Sequence, residues 1–287
     1  PIIGGVQTQY GVAFLQRNVQ GPVSMQSATI TALYRYPLKG FSAERLTSVN
    51  LSPGREIPFD RAFAIENGAS GFDPNDPAPL PKVRFLMLQR NEKIARVRSR
   101  FDTASGILTI TADDAICVAG SLYEAEGLKT IEHWIAREFE EDLRGPPRIL
   151  HADGHTFSDV GDKVLHMINL ASVRALSDKL ERPLDPMRFR ANLVVDGLPP
   201  FAELDWPGRQ LNVGATKLTV VDRTNRCAAT NVDPSTGIRD MQLPRSLMGY
   251  FGHTDFGIYL KVSRGGRIAA GDTVERADDV ASDLPFR

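Results

Sequence analysis

The sequence predicts a β-rich α+β protein in two parts. Three observations carry that reading: strand-length runs crowd residues 29–122, a helical stripe spans 127–142, and Gly145-Pro146-Pro147 then breaks the chain. A length of 287 residues agrees with two units, at roughly 150 residues per domain.

In the first part the runs are 30–36, 45–51, 62–66, 94–101, 107–111 and 115–118, with Gly, Pro, Asn or Asp between them. Strands spaced this closely make a sandwich or a barrel. Residues 68–81 (GASGFDPNDPAPLP) form a Pro/Asp/Gly loop, expected to be mobile. Leu128, Ile131, Trp134, Ile135 and Phe139 then recur at helical spacing, with Glu132, Arg137, Glu138 and Glu141 on the other face. The second part predicts helices over 169–180 and 243–251 and strands over 193–196, 218–222 and 258–262. A last strand follows Gly271-Asp272. The expected domains are 28–146 and 147–276, flanked by an N-terminal arm at 1–27 and a frayed tail at 277–287. The arm is either ordered or lies ahead of a native start near Met25.

Composition excludes several functions. The 34 Lys+Arg against 35 Asp+Glu leave a formal charge of −1, so nothing marks a nucleic-acid or anionic-membrane coat. The two cysteines, Cys117 and Cys227, form no CxxC, which excludes a zinc ribbon or an iron–sulfur cluster and fits a reducing compartment. No apolar run approaches the roughly 20 residues of a membrane-spanning helix, and the first residues do not read as a secretory signal. There is neither GxGxxG nor GxxxxGK, so the usual dinucleotide and P-loop sites fail. Pyridoxal phosphate is not expected either.

Cys227 follows a predicted strand in the segment Asp222-Arg223-Thr224-Asn225-Arg226-Cys227. Two arginines within four residues favour an anionic sulfur and attract an anionic ligand. The plainer alternative is a small buried hydrophobe, the fate of most free cysteines. Cys117, inside the apolar run 115–118, is expected in the core. Strand alternation puts Arg188, Arg190 and Asn192 on one face, as a clamp for phosphate or a heterocycle, or else as a solvated edge. Lys39 stands at the tip of a turn and Arg61 opens a strand; a surface ion pair is the ordinary role for either. His151 and His155, with Asp159 and Asp162 nearby, invite a zinc hydrolase, but the Asp153-Gly154 turn keeps the two histidines off one helix face.

Taken in order, several stretches resemble the MOSC family, in the branch that carries an N-terminal β-barrel domain and includes the amidoxime-reducing components. They are Tyr36-Pro37-Leu38-Lys39-Gly40, Asp60-Arg61-Ala62-Phe63, Asn169-Leu170-Ala171-Ser172-Val173, Phe189-Arg190-Ala191-Asn192-Leu193, Arg226-Cys227 with Thr230-Asn231-Val232-Asp233-Pro234-Ser235-Thr236-Gly237, Phe256-Gly257-Ile258-Tyr259 and Gly271-Asp272. The resemblance implies an N-terminal β-barrel-like domain followed by a MOSC mixed β-barrel with peripheral helices. It also implies a molybdenum cofactor, a pyranopterin dithiolene, held between the two halves.

Carried over by position, Cys227 is the metal ligand and catalytic residue. Lys39, Arg61, Ser172, Arg190, Asn192, Asn225, Arg226 and Tyr259 bind the cofactor, with Ser172 placed at a helix N-terminus suited to phosphate. One soft thiolate suffices because the dithiolene supplies further sulfur. The implied reaction is reduction of small N-hydroxylated or N-oxide substrates, with electrons from a separate donor protein. A soluble, cytoplasmic, bacterial-type protein with no membrane or nucleic-acid partner is expected. The rival is a non-redox carrier of the cofactor, or of sulfur, on Cys227.

Overall fold

The structure, a computed structural model, describes residues 27–277. The expected arm at 1–27, apart from Ser27, and all but the first residue of the expected tail lie outside the described residues.

The strands in chain order are β1 (Ser27–Arg35), β2 (Glu44–Leu46), β3 (Ser48–Leu51), β4 (Ala64–Ile65), β5 (Arg98–Phe101), β6 (Ile107–Ala112), β7 (Ala115–Ser121) and β8 (Ile149–Leu150). They continue as β9 (Leu165–Asn169), β10 (Leu193–Asp196), β11 (Gln210–Val213), β12 (Thr216–Asn225), β13 (Asp255–Arg264), β14 (Gly266–Ala269) and β15 (Thr273–Arg276). Three α-helices, α1 (Ala125–Glu138), α2 (Leu170–Leu180) and α3 (Leu243–Phe251), are joined by several single-turn helices.

Seven strands close a barrel in the order β10-β9-β13-β12-β11-β15-β1, and β1 returns to β10. Every pairing is antiparallel except β9 with β10. A parallel pair needs a crossover, and α2 supplies it. The Asn169 side chain starts α2 by accepting the Ala171 N–H at 3.0 Å. Period-2 patterning fills the barrel: Ile258, Leu260 and Val262 of β13 point inward with Leu218 and Val220 of β12, Met167 of β9 and Leu193 of β10.

The second body is the meander β5-β6-β7 with α1 laid across it. Helix α1 buries Ile131, Trp134 and Ile135, three positions on one stripe, against Phe101, Leu108 and Ile110. Burial of this kind contributes about 1.5–3 kcal/mol per large side chain. The helix starts tight on the sheet: a Cβ on Gly127 would lie 2.1 Å from Ser121 O.

Three expectations are corrected. Residues 92–96 form a single-turn helix, so the predicted run 94–101 becomes a strand only from Arg98. Cys117 is exposed, because the first residues of β7 project past α1 and the core. Residues 186–189 also coil into a single turn, and Arg190 follows with φ 53°. Period-2 alternation therefore fails there, and Arg188 turns away from Arg190 to pair with Asp233 at 2.9 Å and Asp240 at 2.8 Å.

The two bodies exchange strands across the break at 145–147. Strand β1 belongs to the barrel of the second half, β14 pairs with β3, and β8 pairs back onto β4. Loop 68–81 is pinned by Phe72, whose ring packs at 5.0 Å from that of Phe157. These exchanges bring the loops after β1 and β4 over the ends of β9, β12 and β13.

Candidate functional site

A cavity of about 400 Å³ opens at that junction. Lys39, Arg61, Arg190, Asn192, Asn225, Arg226, Cys227 and Tyr259 all line it. Ser172 does not. It is fully buried at the start of α2, where its hydroxyl donates to Glu203 at 2.8 Å and accepts the Phe201 N–H at 2.8 Å. That end of the helix is filled by Glu203, not left open to an anion.

Each lining residue is placed by local backbone. The Tyr36-Pro37 turn ends β1, and Lys39 N–H bonds to Phe63 O at 2.8 Å, which fixes the loop that carries Lys39. Lys39 Nζ then reaches Phe157 O at 2.7 Å and Asp159 at 2.5 Å. Burial pushes the Lys39 ammonium below its ordinary value, against the pull of Asp159. Burial raises Asp159, but Lys39 and Lys82 outweigh it and hold that carboxyl below the usual range.

Arg61, at φ 52°, pairs with its neighbour Asp60 and donates to Arg190 O at 3.1 Å. Arg61 and Arg190 both stack on Tyr36, at 4.6 and 4.4 Å from the ring centroid. Burial pushes Arg190 down to about 10 and Tyr36 up to about 12, so at neutral pH the first stays cationic and the second neutral. Asn192 faces the cavity, but its amide is used to knit strands: Oδ1 accepts His166 N–H at 3.0 Å and Nδ2 donates to Tyr34 O at 3.2 Å.

Strand β12 delivers Cys227 half-buried at the cavity wall. Beside it, Arg226 donates to Phe189 O at 2.8 Å, and its Nε is buried with no partner. Asn225 is tied to Thr254 and, at 3.4 Å, to Asp255. Tyr259 packs 5.7 Å from the ring of His166. Burial and the nearby Arg226 push His166 well below its ordinary range, so it is neutral at pH 7.

The structure adds residues to those nominated for the site from sequence. Lys82 Nζ lies 3.9 Å from Cys227 Sγ and 3.6 Å from Asp159. His166, Arg223 and Asp159 also line the cavity. Lys82 and His166 are isolated residues with no spacing signal; Arg223 had drawn notice only as one of two arginines before Cys227, and Asp159 only within a polar turn weighed for zinc. His151 and His155 instead pack against Phe63 and Phe72, at 4.9 and 5.3 Å between ring centroids.

The profile of the MOSC domain matches residues 148–275, and that of the MOSC N-terminal beta barrel domain matches residues 27–138. The chain belongs to the MOSC family. Curated relatives of this MOSC protein include molybdenum cofactor sulfurase from Caenorhabditis briggsae, 35% identical over 44% of this chain and 19% of the relative. Mitochondrial amidoxime-reducing component 1 from Xenopus laevis is 32% identical over 38% of this chain and 35% of the relative. The matches thus span about a fifth to a third of those relatives' lengths. Among solved structures, the YUAD protein from Bacillus subtilis is 13% identical, with a TM-score of 0.40 over 87% of this chain and 95% of that one.

The residues of this MOSC cavity fit an anionic, sulfur-ligated group. Six basic side chains, from Lys39, Arg61, Lys82, Arg190, Arg223 and Arg226, line it, joined at the wall by one carboxylate, Asp159, that pairs with two of them, Lys39 and Lys82. A buried guanidinium nitrogen of Arg226 awaits an acceptor, and Cys227 presents a soft donor.

Proposed function

We propose that this cavity holds the molybdenum cofactor and that the protein reduces small N-hydroxylated or N-oxide compounds. The observation that carries the reading is the meeting of Cys227 Sγ, Lys82 at 3.9 Å, Arg61 and Arg190 in one cavity, the two guanidiniums held from behind by the Tyr36 ring.

When bound, the cofactor supplies two-electron chemistry: an N-hydroxy compound takes two electrons and two protons to give the amine or amidine and water. The chain's own residues bind and orient. Cys227 offers its sulfur to the metal. Lys39, Arg61, Arg190 and Arg226 supply donors for an anionic phosphate, Arg226 through its unpartnered Nε. Asp159 holds Lys39 and Lys82 in place from one carboxylate. Neutral His166 backs Tyr259 without adding charge beside Arg226. Electrons come from a separate donor protein, and we place the activity in the cytoplasm of a bacterial-type cell.

The test uses protein made in a host that synthesises the cofactor. Stoichiometric molybdenum and oxidised-pterin fluorescence, both lost in Cys227→Ala, together with benzamidoxime reduction by reduced methyl viologen, are expected. Cofactor without reduction turns the reading to a carrier of cofactor or of sulfur. Absence of both metal and pterin from folded protein overturns it.

A further inference from the structure

A second cavity, of about 290 Å³, lies behind the first. Gly40, Leu88 and Arg190 form the wall common to both. Tyr36 faces only the second cavity, with its ring under Arg190 and its hydroxyl tied to Ala191 O at 3.2 Å. Phe41, Ala95 and Val232 make a buried apolar floor.

The charges around this floor are unbalanced. Arg45 and Arg98 line the cavity and are exposed. The Arg45 side chain has no partner among the described residues. Arg98 bonds only to the backbone carbonyls of Ala95 and Val97. Arg190 has one long hydrogen bond, 3.5 Å to Gly40 O. The carboxylate on the wall, Asp185, already accepts the Met187 N–H at 2.8 Å. Arg188 is spent on Asp233 and Asp240. Guanidinium forks therefore outnumber the one lining carboxylate, Asp185, around an apolar floor.

We propose that the second cavity binds a small flat carboxylic acid, an aromatic or heteroaromatic monoanion. Its ring rests on the apolar floor of Phe41, Ala95 and Val232, and its carboxylate meets Arg45 and Arg98 at the mouth. A guanidinium fork matches a carboxylate through two parallel hydrogen bonds. A volume of about 290 Å³ stands at the small end of ligand pockets, suited to a two-ring acid. This inference does not rest on the cofactor reading.

The probe is 2-naphthoate, titrated calorimetrically into the full chain, with neutral 2-naphthol as control. Saturable one-site binding is expected, roughly tenfold or more tighter than for 2-naphthol. Arg45→Glu is expected to weaken it by a similar factor, and Ala43→Trp, at the edge of the cavity, to abolish it. Lys82→Gln and Cys227→Ala, which alter only the first cavity, are expected to leave it unchanged. Because Arg45 is exposed, its variant keeps the test valid if Ala43→Trp fails to fold. Lack of saturable binding, binding indifferent to Arg45→Glu, or binding lost in Lys82→Gln overturns the proposal.

Discussion

Lys82 Nζ stands 3.9 Å from Cys227 Sγ, across the junction between the two halves of the chain. The ammonium comes from the loop that follows β4 and the sulfur from the end of β12, so their contact depends on the fold and not on sequence proximity. Replacing Lys82 by Glu puts a carboxylate beside the sulfur and adds a like charge next to Asp159. Molybdenum content, measured by elemental analysis, is expected to fall roughly tenfold, with the melting temperature close to that of the unaltered protein. Full molybdenum retention in the Glu variant would remove Lys82 from the proposed site.

Asp233 begins the turn after Cys227 and anchors it through three contacts with Ser235 and Thr236, at 2.6 to 2.9 Å. Burial alone raises its pKa, but these donors and Arg188 prevail and bring it to about 2. A carboxyl that ionises more readily when folded adds stability above its unfolded value of about 3.9. That stability is lost as pH falls from about 4 toward about 2. Asp233→Asn is therefore expected to cost about 1–2 kcal/mol at pH 7, allowing for partial exposure. Urea unfolding at several pH values checks it: the gap between the two proteins should narrow below about pH 4 and close toward about pH 2.

Gly257 sits in β13 with φ 82°, where a Cβ would lie 2.4 Å from Met167 O and 2.7 Å from His166 Nε2. Both the backbone conformation and the space demand glycine. Gly257→Ala is expected to destabilise the fold by about 2–4 kcal/mol and to displace His166 from the cavity wall. Chemical denaturation gives the energy; a variant as stable as the parent would contradict this account of the strand.

Ser172→Ala separates the two roles considered for that residue. The hydroxyl serves buried Glu203 and Phe201 N–H, so its loss is expected to cost about 1–2 kcal/mol. Molybdenum content should not change. A variant of normal stability that loses the metal would restore Ser172 to the phosphate.

Much of this architecture was legible because it is local. The stripe Ile131, Trp134, Ile135 marks α1, and inward Ile258, Leu260 and Val262 mark β13, through periodicity alone. Ordered motifs were also enough to nominate Lys39, Arg61, Arg190, Asn192, Asn225, Arg226, Cys227 and Tyr259, which one cavity gathers. What escaped depends on distant partners. Arg188 follows Asp233 and Asp240 out of the row that alternation assigned to it. Ser172 answers to Glu203, a carboxylate that nothing near α2 announces. Lys82 becomes a site residue only when the loop after β4 meets the end of β12, and Asp159 only when the loop after β8 joins them. Cys117 lies in an apolar run, yet its strand outreaches the helix that covers the sheet.

The place of β1 has a consequence for biosynthesis. As the chain leaves the ribosome, this strand emerges soon before its partner β2 but long before β10 and β15, the two partners that close the barrel on it. Its apolar Ile30 and Leu33 and its unpaired edge must wait while everything between is made. Closure of the barrel is thus a late event, and expression at low temperature or with chaperones should raise the yield of closed protein.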